Sequence, residues 1–212
     1  MRLRGLYAIT PDETDSTRLE QSVRTLFAAA ASACAALQYR NKVAGEATRL
    51  EQARRLAALA RANRVPFIVN DDVRLAIAVG ADGVHLGRDD GEIGAARAAL
   101  GGKLLGVSCY DSIAAARRAV AAGADYIAFG SVFPSATKPG AVRAPLRLFE
   151  EARALGVPLV AIGGITPQNA AEVLRAGADA LAVISALFDA PDLAARAREF
   201  GRLFANQPGA TA

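Results

Sequence analysis

The 212-residue chain is poor in the side chains that mark many catalytic sites. Its single histidine, His85, excludes a site built from several His ligands and most triads that reuse His elsewhere. Two cysteines, Cys34 and Cys109, lie far apart with no C-x-x-C, which excludes a zinc knuckle or a disulfide framework and fits a reducing cytosol. Tryptophan is absent and aromatics make up only 6%, leaving little on which bases could stack. The net charge of +4 and pI near 9.4 therefore do not indicate nucleic acid, because the arginines are scattered over helical stretches as solvated faces. The longest apolar run, residues 26–37, is mostly alanine and falls short of the ~20 residues of a membrane span. The first twelve residues hold two arginines but only a short apolar stretch before Pro11 and Asp12, which reads as a first strand and not as a signal peptide. A soluble cytoplasmic protein that binds neither nucleic acid nor membrane is expected. Lysine is scarce too: Lys42, Lys103 and Lys138 are the only three among 25 basic residues. Where arginine is the default, a retained lysine suggests a need for a compact point charge, such as phosphate binding.

What is present is a core-forming pattern. Hydrophobic residues reach 52% and charged ones 22%, which excludes disorder and suits one large domain. Short apolar segments at 6–10, 36–39, 67–70, 83–86, 104–108, 126–129, 159–162 and 181–184 read as strands. Helical stretches follow near 17–32, 46–63, 72–79, 92–100, 112–122, 145–155, 167–176 and 192–205. The triplet Gly-Ala-Asp recurs at 80–82, 123–125 and 177–179, each time between a helix end and the next strand. Glycine can take the left-handed position that stops a helix, so these are connections of one design. Repetition of one βα unit predicts a closed (β/α)8 TIM barrel over residues 1–205, with a frayed tail over 206–212. The alternative is a doubly wound open sheet.

In such a barrel the chemistry gathers where the strands end. Arg40 and Lys42 follow the second strand, Asn70 the third and Lys138 the sixth, so three cations and an amide converge on one mouth. That set suits a diphosphate, unless the cations merely pair with nearby carboxylates. Asp71 and Asp90, from adjacent strands, are hard oxygen ligands suited to Mg2+ beside phosphate, although Asp71 could instead cap the helix after it. Gly163 and Gly164 after the seventh strand, with Ile184 and Ser185 opening a short helix after the eighth, form a second anion site, a monophosphate cradle. The bland alternative for the glycine pair is a tight turn. His85, near the end of the fourth strand, could be a satisfied buried histidine.

In their order, Gln38-Tyr39-Arg40-Asn41-Lys42, Asn70-Asp71, Gly83-Val84-His85-Leu86-Gly87 with Asp90, Phe133-Pro134-Ser135-Ala136-Thr137-Lys138-Pro139, and the stretches 162–165 and 183–186 resemble the thiamine phosphate synthase family. The resemblance spans about residue 5 to residue 190. It implies a (β/α)8 transferase that joins a hydroxymethylpyrimidine diphosphate to a thiazole phosphate and releases pyrophosphate. By position it implies that Gln38, Arg40, Lys42, Asn70, Ser108 and Lys138 bind the pyrimidine diphosphate. Ser135, Thr137, Gly164, Ile184 and Ser185 would bind the thiazole phosphate, and Asp71 and Asp90 would hold Mg2+. The chain departs from the family pattern at Arg88, Tyr110 and Ser135, where Gln, His and Thr are common.

A thiazole ring nitrogen carries no proton to remove, so the reaction needs no general base; the demand is to neutralise the departing pyrophosphate and align the acceptor. The expected partners are small phosphorylated substrates, with homo-oligomerisation open. Two rival readings are a thiazole tautomerase relative, which needs proton transfer where this chain has Tyr110, and a non-catalytic phosphate-binding barrel.

Overall fold

A computed structural model describes residues 3–87, 90–134 and 142–205. Strand β1 (Gly5–Ile9) leads to helix α1 (Ser16–Ala30), β2 (Cys34–Tyr39) to α2 (Glu46–Ala62), β3 (Phe67–Asn70) to α3 (Val73–Ala78) and β4 (Gly83–Leu86) to α4 (Ile93–Leu100). The second half repeats the unit with β5 (Leu104–Tyr110), α5 (Ile113–Ala121), β6 (Tyr126–Phe129), α6 (Arg147–Ala152), β7 (Leu159–Ile162) and α7 (Ala170–Arg175). Strand β8 (Ala180–Val183) is followed by a short helix α8 (Ser185–Phe188) and the closing helix α9 (Leu193–Ala205). Every strand pairs in parallel with the next, and β8 pairs with β1, so the sheet closes. This is the (β/α)8 barrel; the open-sheet alternative fails on the β1–β8 pairing.

Alternation along the strands builds two apolar layers. Tyr7 and Ile9 of β1 face the barrel interior with Ala36, Ile68, Tyr126, Val160 and Ala182. Leu6 and Ala8 face outward into the shell between sheet and helices. Helix α1 shows why the helices settle there. Asp15 accepts from the backbone N–H groups of Thr17 and Arg18 at its start, and Leu19, Val23, Leu26 and Phe27 recur on its buried face.

The Gly-Ala-Asp triplet proves to be a stitch. Gly80, Gly123 and Gly177 have φ of 64°, 97° and 110°, the left-handed backbone that turns the chain out of its helix. Asp82, Asp125 and Asp179 then grip the start of an earlier strand twice. The backbone N–H groups donate to the carbonyls of Phe67, Leu105 and Leu159, and the carboxylates accept from the same three residues' N–H groups at 2.8, 2.7 and 2.8 Å. These brackets hold the strand starts, at the end of the barrel opposite the strand C-termini.

The structure differs from the sequence reading in detail. Strand β5 runs to Tyr110, with a register shift between Ser108 and Tyr110, and Tyr110 adopts φ 53°. The helix expected near 145–155 is α6 followed by a 3-10 turn, Arg153–Leu155. The tail expected to fray over 206–212 lies outside the described residues. Among the described residues, no helix is long and apolar enough to cross a membrane.

Candidate active site at the mouth of the barrel

A cavity of about 680 Å³ opens at the C-terminal ends of the strands. Gln38, Arg40, Lys42, Asn70, Asp71, Asp90 and Ser108 line one part of its wall, and Gly164, Ile184 and Ser185 line another. All site residues expected from the sequence that fall within the described residues are thus brought together. Ser135, Thr137 and Lys138 lie outside them, as does Arg88.

The β2–α2 loop is held rigidly. Asn41 Nδ2 donates to the Glu13 carbonyl at 2.6 Å and to Gln52 Oε1 at 2.9 Å, while Asn41 Oδ1 accepts from the backbone N–H groups of Val43 and Ala44. Arg40 reaches Asp12 through two contacts, 3.1 and 3.0 Å, and the Lys42 backbone N–H donates to the same carboxylate at 2.7 Å. Burial pushes the Asp12 pKa up, but the Lys42 N–H and the Arg40 guanidinium outweigh it and hold it below the usual carboxylate range. Lys42 Nζ lies 3.2 Å from Asp71. Both cations are therefore paired with carboxylates. The Lys42 side chain remains 57% exposed, and such a pair contributes about 0–1 kcal/mol, so it can yield to an incoming anion. Asp12 escapes the sequence reading because its partners lie 28 and 30 residues away; its one signal is an acid directly after the first strand.

Asp71 does not cap α3. That work belongs to Asp72, whose carboxylate accepts from Leu75 N–H at 2.8 Å. Asp71 instead sits at φ 64°, a conformation that few residues other than glycine adopt cheaply, with its backbone N–H on the His85 carbonyl. This places its carboxyl against that of Asp90, and the Asp71 pKa rises through burial first and contact with Asp90 second, against the pull of Lys42. Asp90 is itself fixed by the Gly87 backbone N–H at 2.7 Å. Two abutting carboxylates fit a divalent cation, which would relieve their repulsion. No group of three or more His, Cys, Asp or Glu able to hold a metal occurs among the described residues. Two carboxylates are too few to complete the shell of a hard cation, so an ion held there would keep other oxygen ligands.

At the other wall, the glycine pair answers to packing. A Cβ on Gly163 would lie 2.1 Å from Ser131 Oγ, and one on Gly164 2.2 Å from the Pro134 carbonyl oxygen. The backbone N–H groups of Val132 and Phe133 donate to the carbonyls of Ile162 and Gly163. Glycine is thus needed so that the loops after β6 and β7 can touch, and Ser185 opens α8 beside them.

Beneath the mouth runs a polar chain whose tyrosines fall inside the segments 6–10 and 126–129 read as strands. Gln38 Nε2 donates to Tyr7 OH at 2.9 Å; Tyr7 OH meets Tyr126 OH at 2.7 Å; Tyr126 OH meets His85 Nδ1 at 3.2 Å; and His85 Nε2 meets Ser108 Oγ at 2.9 Å. His85 is a satisfied histidine, and burial lowers its pKa from 6.5 to about 4, with Asp90 a smaller opposing influence. The signal available in the sequence is Gly106, where a Cβ would lie 2.0 Å from Tyr126 Cζ. Neither cysteine offers a nucleophile, since burial pushes both thiols up to about 12.

The thiamine monophosphate synthase family model matches residues 6–187 of the chain. The thiamine-phosphate synthase of Aromatoleum aromaticum is 59% identical over 205 residues, covering 96% of this chain and 97% of that protein. That of Methylobacillus flagellatus is 57% identical over 203 residues, covering 95% and 96%. The solved thiamine phosphate pyrophosphorylase from Pyrococcus furiosus superposes with a TM-score of 0.84 at 35% identity, covering 96% of each chain.

Proposed function

The chain belongs to the thiamine monophosphate synthase family, and from that premise we propose how its residues divide the work of the transfer. It is a transferase that joins a pyrimidinylmethyl diphosphate to a thiazole phosphate, giving thiamine phosphate and pyrophosphate. The observation that carries the division is a single cavity with charged groups on one wall, Arg40, Lys42, Asp71 and Asp90, and glycines and Ser185 on another.

Gln38, Arg40, Lys42, Asn70, Ser108 and Lys138 hold the pyrimidine diphosphate. As its methylene C–O bond breaks, the electron pair leaves with pyrophosphate, and the cations meet the growing charge. Stabilising contacts of this kind are worth roughly 2.7–4 kcal/mol each in rate, by analogy with single oxyanion donors. Ser135, Thr137, Gly164, Ile184 and Ser185 hold the thiazole phosphate so that its ring nitrogen, which has no proton to lose, forms the new C–N bond. Asp71 and Asp90 would hold Mg2+, whose contribution when bound is to neutralise diphosphate oxygens. A neutral His85 suits a site that needs no general base. The two free cysteines agree with a reducing cytoplasm.

The decisive assay incubates the purified protein with both substrates. Thiamine phosphate and pyrophosphate appearing in equal amounts is the expected result. Isomerised thiazole without coupling would identify a tautomerase, and binding without turnover a non-catalytic barrel.

A further inference from the structure

We propose that Tyr126 is a positioning residue that sets the direction of the buried hydrogen-bond chain, so that Ser108 meets the pyrimidine diphosphate as a hydroxyl donor. The proposal rests on the reading of Ser108 as a contact for that substrate.

The chain does not follow the sheet around. It crosses the barrel interior from β2 (Gln38) through β1 (Tyr7), β6 (Tyr126) and β4 (His85) to β5 (Ser108). Tyr7, Gln38, Tyr126 and His85 are buried, whereas Ser108 is half-buried at the cavity wall. The Tyr126 ring lies between those of Tyr7 and His85, with centroid separations of 5.9 and 5.6 Å. The barrel leaves space for it by having Gly106 on the neighbouring strand, since any Cβ there would overlap the phenol.

Each hydroxyl has one proton to give, and a neutral imidazole has one N–H and one bare nitrogen. Only two directions use every proton of the buried phenols and of the imidazole within the chain. An amide nitrogen cannot accept, so Gln38 Nε2 donates to Tyr7, and Tyr7 then donates to Tyr126. Tyr126 donates to His85 Nδ1, His85 Nε2–H donates to Ser108 Oγ, and the Ser108 proton is left to point into the cavity. An anion requires donors, so this direction is the useful one. The reverse direction turns the Gln38 amide over, puts the imidazole proton on Nδ1 and commits the Ser108 hydroxyl proton to His85.

His85 is the only histidine, so its ring nitrogens can be read by 15N NMR of the whole protein without assignment. The expected spectrum shows a bare Nδ1 and a protonated Nε2; a protonated Nδ1 overturns the proposal, and this arm requires no variant. Tyr126→Phe should release the fixed tautomer, because it removes the only donor to Nδ1 in the chain. Tyr126→Phe should also raise the KM for the pyrimidine diphosphate about tenfold, the equivalent of one charge-assisted hydrogen bond, with the thiazole phosphate KM unmoved. In a Ser108→Ala background it should add no further loss, because it acts through that hydroxyl. A Tyr126→Phe enzyme with wild-type tautomer and KM overturns the proposal while a Ser108→Ala effect leaves the substrate reading standing. A silent Ser108→Ala overturns both.

Discussion

His85 faces Tyr126 and Ser108 and senses the charge of Asp90, yet burial dominates and takes its pKa from 6.5 down to about 4. Protonation therefore favours the unfolded chain. The stability this contributes is fully present above about pH 6.5 and is lost as the pH falls toward 4, because in that window the unfolded state binds a proton that the native state refuses. Denaturant unfolding at pH 7.5 and pH 5 should differ by about 2 kcal/mol from this group, and His85→Gln should flatten the slope across that interval. At the same scale the three lysines separate. Lys42→Ala and Lys138→Ala should each cut coupling by about a hundredfold or more, as loss of one charge-stabilising contact does, and weaken pyrophosphate binding. Lys103 precedes β5 and donates to the Ala81 carbonyl at the far end of the barrel, so Lys103→Ala should leave the kinetics unchanged. Equal losses at all three would show that the lysines were misread. The placement of Arg40, Lys42 and the two aspartates at one cavity was legible, because residues that follow the strands of a barrel gather at one end of it. Asp12 and Tyr126 were not legible, because an acid that clasps a distant loop and a phenol inside a strand differ from ordinary surface and core residues only through their three-dimensional partners.

At the scale of elements, the repeated Gly-Ala-Asp connections carry a stability function separable from catalysis. Removing one carboxylate leaves a backbone N–H at a strand start without its acceptor, at a cost of about 1–3 kcal/mol. Asp82→Ala and Asp179→Ala should each lower unfolding stability by that amount while kcat and both KM values hold, since these brackets lie at the opposite end from the site. Asp125→Ala should cost more than Asp82→Ala, because Asp125 also pairs with Arg97 at 2.8 Å. Kinetic losses matching the stability losses would place these brackets in the site instead. The alternation of apolar runs with helical stretches identified all eight strands, because in a parallel barrel both faces of every strand are covered. Its failures fall at strand and helix ends. The extension of β5 to Tyr110 depends on a register shift against β6, a pairing that one strand's own sequence does not encode. The glycine pair after β7 was legible as special, but its cause, the close approach of the β6 loop, exists only in the folded barrel.

At the scale of the whole molecule, the site draws on loops from both halves of the closed sheet, so anything that binds there stabilises the complete barrel. A ligand that binds only the native state adds about 2.7 kcal/mol at one hundred times its Kd. For a chain of this length each kcal/mol is worth about 2–4 °C, so saturating pyrophosphate with Mg2+ should raise the melting temperature by about 5–11 °C. EDTA should remove most of that gain, because pyrophosphate then approaches Asp71 and Asp90 as like charge against like. Mn2+ should restore it, being another ion suited to oxygen ligands. The unliganded protein should respond in the opposite sense. Asp71 is half-buried against Asp90, and each loses a repulsive neighbour when the other is neutralised. Asp71→Asn and Asp90→Asn should therefore leave the bare protein at least as stable as the parent, while abolishing the Mg2+-dependent part of the pyrophosphate shift and raising the Mg2+ needed for coupling. A merely structural pair would behave the other way, with a lower melting temperature for both variants and an undiminished shift. That outcome would remove the metal from these two carboxylates.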